Sequence, residues 1–166
     1  MKKLLLFLTV LLLALNSFSQ TPPVKILIGE DESKVKEYFS SLKQNFPNNP
    51  YVKVEQSVGK DGNMMLTFSS PMAGEEKTNS LTIFAVFMRM ENKTEICVKQ
   101  AILGSNISSY RNISFVKDNF KELSNNMWIK PHFQNGKEMT GFKVLAEFNK
   151  EDSGLYNIVF QLTDKY

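Results

Sequence analysis

The chain has 166 residues, 42% hydrophobic and 22% charged, with 8 Gly and 6 Pro, a composition that excludes collagen-like, low-complexity and wholly disordered polypeptides. The length suits one domain, and a globular chain of this size buries about two-thirds of the surface its unfolded form exposes, enough for a core without disulfide or metal staples. The formal charge is only +3, and basic and acidic residues are scattered along the chain rather than gathered in runs.

Lys2 and Lys3 open the chain, and residues 4–15 follow as an apolar run relieved only by Thr9. As a helix this run spans about 18 Å, well short of the ~30 Å hydrocarbon core of a bilayer. Asn16 ends it, and Ser17-Phe18-Ser19 places small residues at the minus-three and minus-one positions of a signal-peptidase site. Residues 1–19 are therefore expected to be a signal peptide, cleaved between Ser19 and Gln20, with residues 20–166 exported as a single α+β domain, periplasmic or extracellular. No cysteine lies at the junction, which closes the lipoprotein route. Without Lys2 and Lys3 the formal charge falls from +3 to +1. Only Arg89 and Arg111 offer the bidentate fork that phosphate recognition favours, so nucleic acid is not an expected partner. No later apolar stretch approaches the ~18 residues of a membrane span.

Residues 24–28 form a short apolar piece ending at Gly29. Glu30, Asp31 and Glu32 follow, acids that a helix N-terminus welcomes. Val35, Tyr38, Phe39, Leu42 and Phe46 then recur as one helical stripe, and Pro47 and Pro50 stop the helix because they lack the donor its next turn needs. The period next falls to two. Val52 and Val54 alternate with Tyr51, Lys53 and Glu55, Asp61-Gly62 supplies the positive φ of a tight hairpin, and Met64, Leu66 and Phe68 resume the alternation. A polar stretch, residues 69–80, carries Pro71 and Gly74. In residues 81–90 both alternating sets are apolar, with Leu81, Ile83, Ala85 and Phe87 against Phe84, Val86, Met88 and Met90; such a strand belongs in mid-sheet with cover on each side.

After a turn at 91–94, residues 95–103 run back with Ile96, Val98 and Ile102 expected on one face. A second helix is expected from Ser114, as its N-cap, to Ser124, with Ile113, Val116, Phe120 and Leu123 as its stripe and Asn125 and Asn126 as its stop. Residues 128–134, Asn135-Gly136 and residues 137–148 read as another hairpin, with Phe142, Val144, Ala146 and Phe148 on one face. A turn at Asp152-Ser153-Gly154 sends Tyr156, Ile158, Phe160 and Leu162 back along the sheet. The expected order is helix, four strands, helix, three strands: an α+β domain with one antiparallel sheet of about seven strands and two helices.

Residues that carry chemistry are sparse. His132 is the only histidine, so a histidine-based metal cluster is excluded within one chain, and no metal or cofactor is expected. Cys97, the only cysteine, could act as a nucleophile with His132 as its base if neighbouring strands brought them together. Against that, Cys97 sits between Ile96 and Val98 in mid-strand with no helix N-terminus to lower its pKa. His132, after Pro131 on an expected edge strand, reads as a solvated or singly hydrogen-bonded side chain.

Ser-x-x-Lys occurs at Ser33/Lys36, Ser40/Lys43, Ser57/Lys60 and Ser114/Lys117, but the companion elements of the penicillin-binding enzymes are absent. Glu75 and Glu76 in the long loop, and Glu151 and Asp152 in a turn, read as solvated charges rather than an acid–base pair. Glu30, Asp31 and Glu32 lack the ligand spacing of an EF-hand loop. The sequons at Asn92, Asn106 and Asn112 matter only in a eukaryotic secretory pathway. No catalytic, ligand-binding or metal-binding residue is assigned.

Two functional readings compete. The first is a noncatalytic exported binding or interaction module, taking an apolar small molecule or a protein surface against the apolar strand at 81–90. The alternative is a small periplasmic hydrolase or thiol-dependent enzyme using Cys97.

Overall fold

Asp31 opens the first helix of the computed structural model, which describes residues 24–44, 51–70, 81–90, 94–104, 106–134, 136–150 and 156–165. Its Oδ1 accepts the Lys34 N–H at 2.9 Å and the Ser33 hydroxyl at 2.6 Å, an N-cap for α1 (Glu32–Gln44) that satisfies donors the helix cannot. Val35 and Phe39 of the expected stripe are fully buried, with Tyr38 and Leu42 packed at its margin. Phe46 lies outside the described residues, as do residues 1–19, Glu75 and Glu76 of the long loop, and the turn with Glu151 and Asp152.

Four strands follow α1 in one meander: β1 (Lys53–Val58), β2 (Met64–Ser70), β3 (Leu81–Arg89) and β4 (Glu95–Gly104). The β1–β2 turn is the expected one, with Gly62 at φ 79° and the Gly59 N–H bonded to the Asn63 carbonyl at 2.8 Å. α2 (Asn106–Asn119) then leads into a second meander of β5 (Lys121–Ser124), β6 (Met127–Gln134), β7 (Lys137–Lys150) and β8 (Tyr156–Thr163). All eight strands form one antiparallel sheet in the order β1-β2-β3-β4-β8-β7-β6-β5. The two halves thus share one plan, a helix followed by four strands, and meet where β4 pairs β8.

The sheet has eight strands rather than the expected seven, and the second helix is displaced. It begins at Asn106, not Ser114, and its last turn closes where the Phe120 N–H reaches the Val116 carbonyl at 2.8 Å. Residues 121–124, expected at the end of that helix, are β5 instead. Asn125 and Asn126 form the hairpin turn into β6, Asn126 in the left-handed region at φ 66°. Leu123, expected in the helical stripe, is 40% exposed. Phe120 and Leu123 are three residues apart, a helical offset, and four residues are too few for a strand's period of two to show against it.

Both helices lie on one face of the sheet, where Phe39 meets Phe68 and Phe120 meets Phe160 at ring-centre distances of 5.9 and 6.3 Å. Beneath them Leu66, Phe68, Ile83, Ala85, Phe87, Ile102, Val144, Ala146, Ile158 and Phe160 are buried in a single core cluster. Each fully buried Phe removes enough apolar surface from water to contribute roughly 2–3 kcal/mol gross.

Two expected faces are corrected. Ile96 and Val98 do not share a face with Ile102, because the β3–β4 register shifts between Val86 and Phe87. Phe87 therefore opposes Cys97 while Ala85 opposes Gln100 and Ile83 opposes Ile102. The bulge puts Cys97, Gln100 and Ile102 under the helices and turns Ile96 and Val98 the other way. Phe142 leaves the buried row of Val144, Ala146 and Phe148 and is 39% exposed, just after Gly141 at φ 88°.

Candidate functional site

The segment before α1 is tied across the sheet by one buried side chain. Gln100 is fully buried, its Oε1 accepting the Leu27 N–H at 2.8 Å and its Nε2 donating to the Lys25 carbonyl at 2.9 Å. It serves this segment as a neighbouring strand would. Further along, the Gly29 N–H donates to the Cys97 carbonyl at 2.8 Å, the Cys97 N–H donates to the Glu30 carbonyl at 2.9 Å, and Asp31 bridges Ile96. The part of β4 that β8 does not reach is thereby paired.

Gly29 is also the contact point of His132. A Cβ there would stand 2.5 Å from His132 Cε1, and its φ is 84°, so no other residue fits without strain. His132 is 5% exposed, on the next-to-edge strand β6. This corrects the expectation of a solvated edge histidine. His132 shares the helix-side face of β6 with Trp128 and Lys130, β5 takes the edge beyond it, and its ring packs against the Gly29 turn. Burial, and then the charge of Lys130, hold its imidazole below the usual histidine range. Lys130 itself sits 4.6 Å over the Phe120 ring, and burial lowers its pKa as well.

Cys97 is fully buried, its Sγ–H directed to the Lys99 carbonyl at 3.5 Å. Burial above all pushes the thiol up to about 12, so at neutral pH almost none of it is the thiolate that nucleophilic attack requires. Cys97 and His132 both touch the Gly29 turn, Cys97 through its main chain and His132 through its ring, with no hydrogen bond between the two side chains.

The remaining motif residues serve local structure. Ser40 Oγ donates to the Lys36 carbonyl at 2.8 Å, and Ser114 Oγ pairs with Asp118 at 3.4 Å. Lys36 is engaged by Glu32 at 2.5 Å. Glu30 is braced by Lys25 at 2.9 Å and Lys34 at 3.3 Å. Burial works to raise its pKa, but these two lysines together hold the carboxyl below its ordinary value. The acids near α1 are thus paired, and among the described residues no group of three or more His, Cys, Asp or Glu side chains is placed to hold a metal ion. Asn112 is 2% exposed, so its sequon is closed to a glycan in the folded chain.

The second face of the sheet is different in kind. Met65, Phe84, Val86, Val98, Leu103, Leu145 and Val159 point away from the core and are half-buried against one another, and among the described residues neither helix crosses them. At the β5–β7 end this face carries a groove of about 290 Å³. Leu123, Ile129 and Pro131 form its apolar floor, and Lys121 and Lys143 stand on its flanks. The register places Lys121 beside Ile129 and Lys143 beside Pro131, one on each side of β6. Strand spacing puts the two Cα atoms roughly 12 Å apart, within reach of a shared anion. Neither lysine has an acidic partner among the described residues.

A second recess of about 250 Å³, at the β3–β4–β8 end, is lined by Met88, Val98, Phe142 and the last residues of β8. A polar cleft of about 290 Å³ lies between the Gly29 turn, Lys34, Thr94 and Gln134; its charges are those already paired beside α1.

No family model matches the chain, and no curated protein or solved structure matches it. Among the described residues no helix is long and apolar enough to cross a membrane. The doubly apolar alternation of residues 81–90 was the one sequence signal that pointed to the open face. The groove on it had none, because its wall is β5.

Proposed function

We propose that the chain is an exported, noncatalytic binding module that takes a small anionic amphiphile on the open face of its sheet. The apolar part lies along Leu123, Ile129 and Pro131, and the negative head sits between Lys121 and Lys143. The observation that carries this reading is the groove's composition: an apolar floor flanked by two lysines that no acid of the described chain neutralises. Apolar floors with a few placed polar groups are the ordinary make-up of small-molecule sites, and the volume falls at the lower end of the about 300–1,000 Å³ such sites occupy. That suits a single short chain rather than a polycyclic ligand. Export is the role of the leader, with its basic start, short apolar run and Ser17-Phe18-Ser19 junction. The thiol-enzyme alternative loses its nucleophile to burial, since Cys97 offers neither access nor thiolate.

Titration calorimetry of the purified protein with decanoate tests the proposal. Saturable binding is expected, weakened at least about tenfold by Lys121→Glu with Lys143→Glu, which removes both charge-assisted contacts. Decanol, which lacks the charge, is expected to bind more weakly than decanoate. Absence of saturable decanoate binding, or equal binding by the doubly reversed variant, overturns the proposal.

A further inference from the structure

β1 is the least covered long strand of the sheet. All six of its residues are exposed, Val58 at 70% and Val54 at 37%, and Tyr51 just before it is 55% exposed. Val54 opposes the buried Phe68 and so lies on the helix side of the sheet, yet α1 leaves it open. A strand uncovered on both faces and along its edge presents main-chain N–H and C=O groups to any strand that can align with it. The other edge, β5, is only four residues long, and its ladder shifts between Glu122 and Ser124. Shortness and irregularity both blunt an edge. β1 has neither, since it pairs with β2 from Lys53 to Val58 without a shift and contains no proline.

We infer that β1 is a self-association strand, joined antiparallel by the β1 of a second copy about a two-fold axis at Val54. The charges select the register. For helices to stay on one side of the joined sheet, a residue must oppose one of its own parity. Centring the axis on Lys53 or on Glu55 sets like charges directly opposite, which destabilises. Centring it on Val54 sets Lys53 opposite the partner's Glu55 and Glu55 opposite the partner's Lys53, with Val54 against the partner's Val54. A lone lysine on an edge keeps strands apart, but a lysine followed two residues later by a glutamate carries its own complement. Within the chain these residues oppose only Ser69 and Thr67, and neither has an ion pair among the described residues.

An isologous pairing of this kind closes at two copies, whereas β1 joining β5 would propagate into a ribbon, and the blunted β5 works against that. The dimer is one continuous sixteen-stranded sheet with both open faces on the same side. It does not depend on what those faces bind. An edge-to-edge contact is narrow, so its affinity falls in the range of weak, transient interfaces.

Sedimentation velocity of the purified protein at low salt, from about 1 μM to about 500 μM, measures the dimer constant directly. A reversible monomer–dimer equilibrium is expected. Lys53→Glu alone and Glu55→Lys alone each set two like-charge pairs across the axis and raise the dissociation constant about tenfold or more. The double variant, Lys53→Glu with Glu55→Lys, restores the complement and with it the dimer. Circular dichroism and urea midpoints of the single variants, expected to match the parent chain because Ser69 and Thr67 are neutral, separate lost association from lost folding. A chain that stays monomeric throughout the range, a dimer indifferent to the single reversals, or a double variant as weak as the singles overturns the inference.

Discussion

Replacing Gln100 by leucine tests whether one amide holds the segment before α1. The side chain is fully buried and bonds the Leu27 N–H at 2.8 Å and the Lys25 carbonyl at 2.9 Å. Leucine fills nearly the same space but pairs with neither group. Leu27 is itself fully buried, so its N–H is left without water, a cost of about 1–3 kcal/mol; the Lys25 carbonyl lies nearer the surface and resolvates cheaply. The added apolar surface returns about 1 kcal/mol, leaving a net loss of up to about 2 kcal/mol. Urea unfolding at pH 7 should show a lower midpoint with an unchanged slope, and hydrogen exchange at the Leu27 amide should accelerate more than exchange in the core strands.

Gln100→Glu sharpens the test. It keeps the acceptor for Leu27 but turns a carboxylate lone pair on the Lys25 carbonyl, and burial with that carbonyl raises its folded-state pKa above the unfolded value. Such a group binds its proton more readily in the folded state, so the variant's deficit is full at neutral pH. The deficit shrinks as pH falls towards the unfolded carboxyl pKa of about 4.3, where the protonated carboxyl donates to the carbonyl. A leucine variant as stable as the parent with unchanged Leu27 exchange, or a glutamate variant whose deficit relative to the parent is the same at pH 4.5 and pH 7, refutes the reasoning.

Cys97, its thiol pushed up to about 12 by burial, should resist a thiol reagent in native buffer and react only at the rate of global unfolding; rapid native modification would contradict its placement. His132 has a folded-state pKa lowered by burial and by Lys130, so the unfolded chain takes up its proton first as pH falls. Its contribution is intact above the unfolded pKa of about 6.5 and declines below it, towards the lowered folded value. His132→Asn, which removes the only histidine, should flatten the fall in urea midpoint between pH 7.5 and 5.5, and parallel curves for the two chains would exclude this origin.

Where the side-chain period was long and unbroken, the chain could be read directly. Met64, Leu66 and Phe68, the alternating Val144, Ala146 and Phe148, and Ile158 with Phe160 all face the core as their alternation required. The errors have two sources. The register shift opposite Val86 and Phe87 moved Cys97 beneath the helices and Val98 away from them, whereas His132 is buried because β5 takes the edge and β6 turns Trp128, Lys130 and His132 towards the helices. No local composition marks the bulge, since it is set by the partner strand. β5 escaped because four residues are too few to show a period, and the lysine-flanked groove that it walls escaped with it. Gln100 reads as an ordinary polar strand residue until the distant Lys25 and Leu27 are seen to need it.

Six of the seven strand pairings join neighbours in sequence through a single connection, and one long-range ladder, setting Lys99 beside Gln161 and Gly104 beside Tyr156, joins the two meanders. The strands of each meander can assemble over short loops, at little entropic cost. The slow event in folding is then the docking of two half-sheets, with the Gln100 clasp closing after β4 exists. Mutations in the β4–β8 ladder should slow refolding, whereas those confined to β1 or β5 should chiefly hasten unfolding.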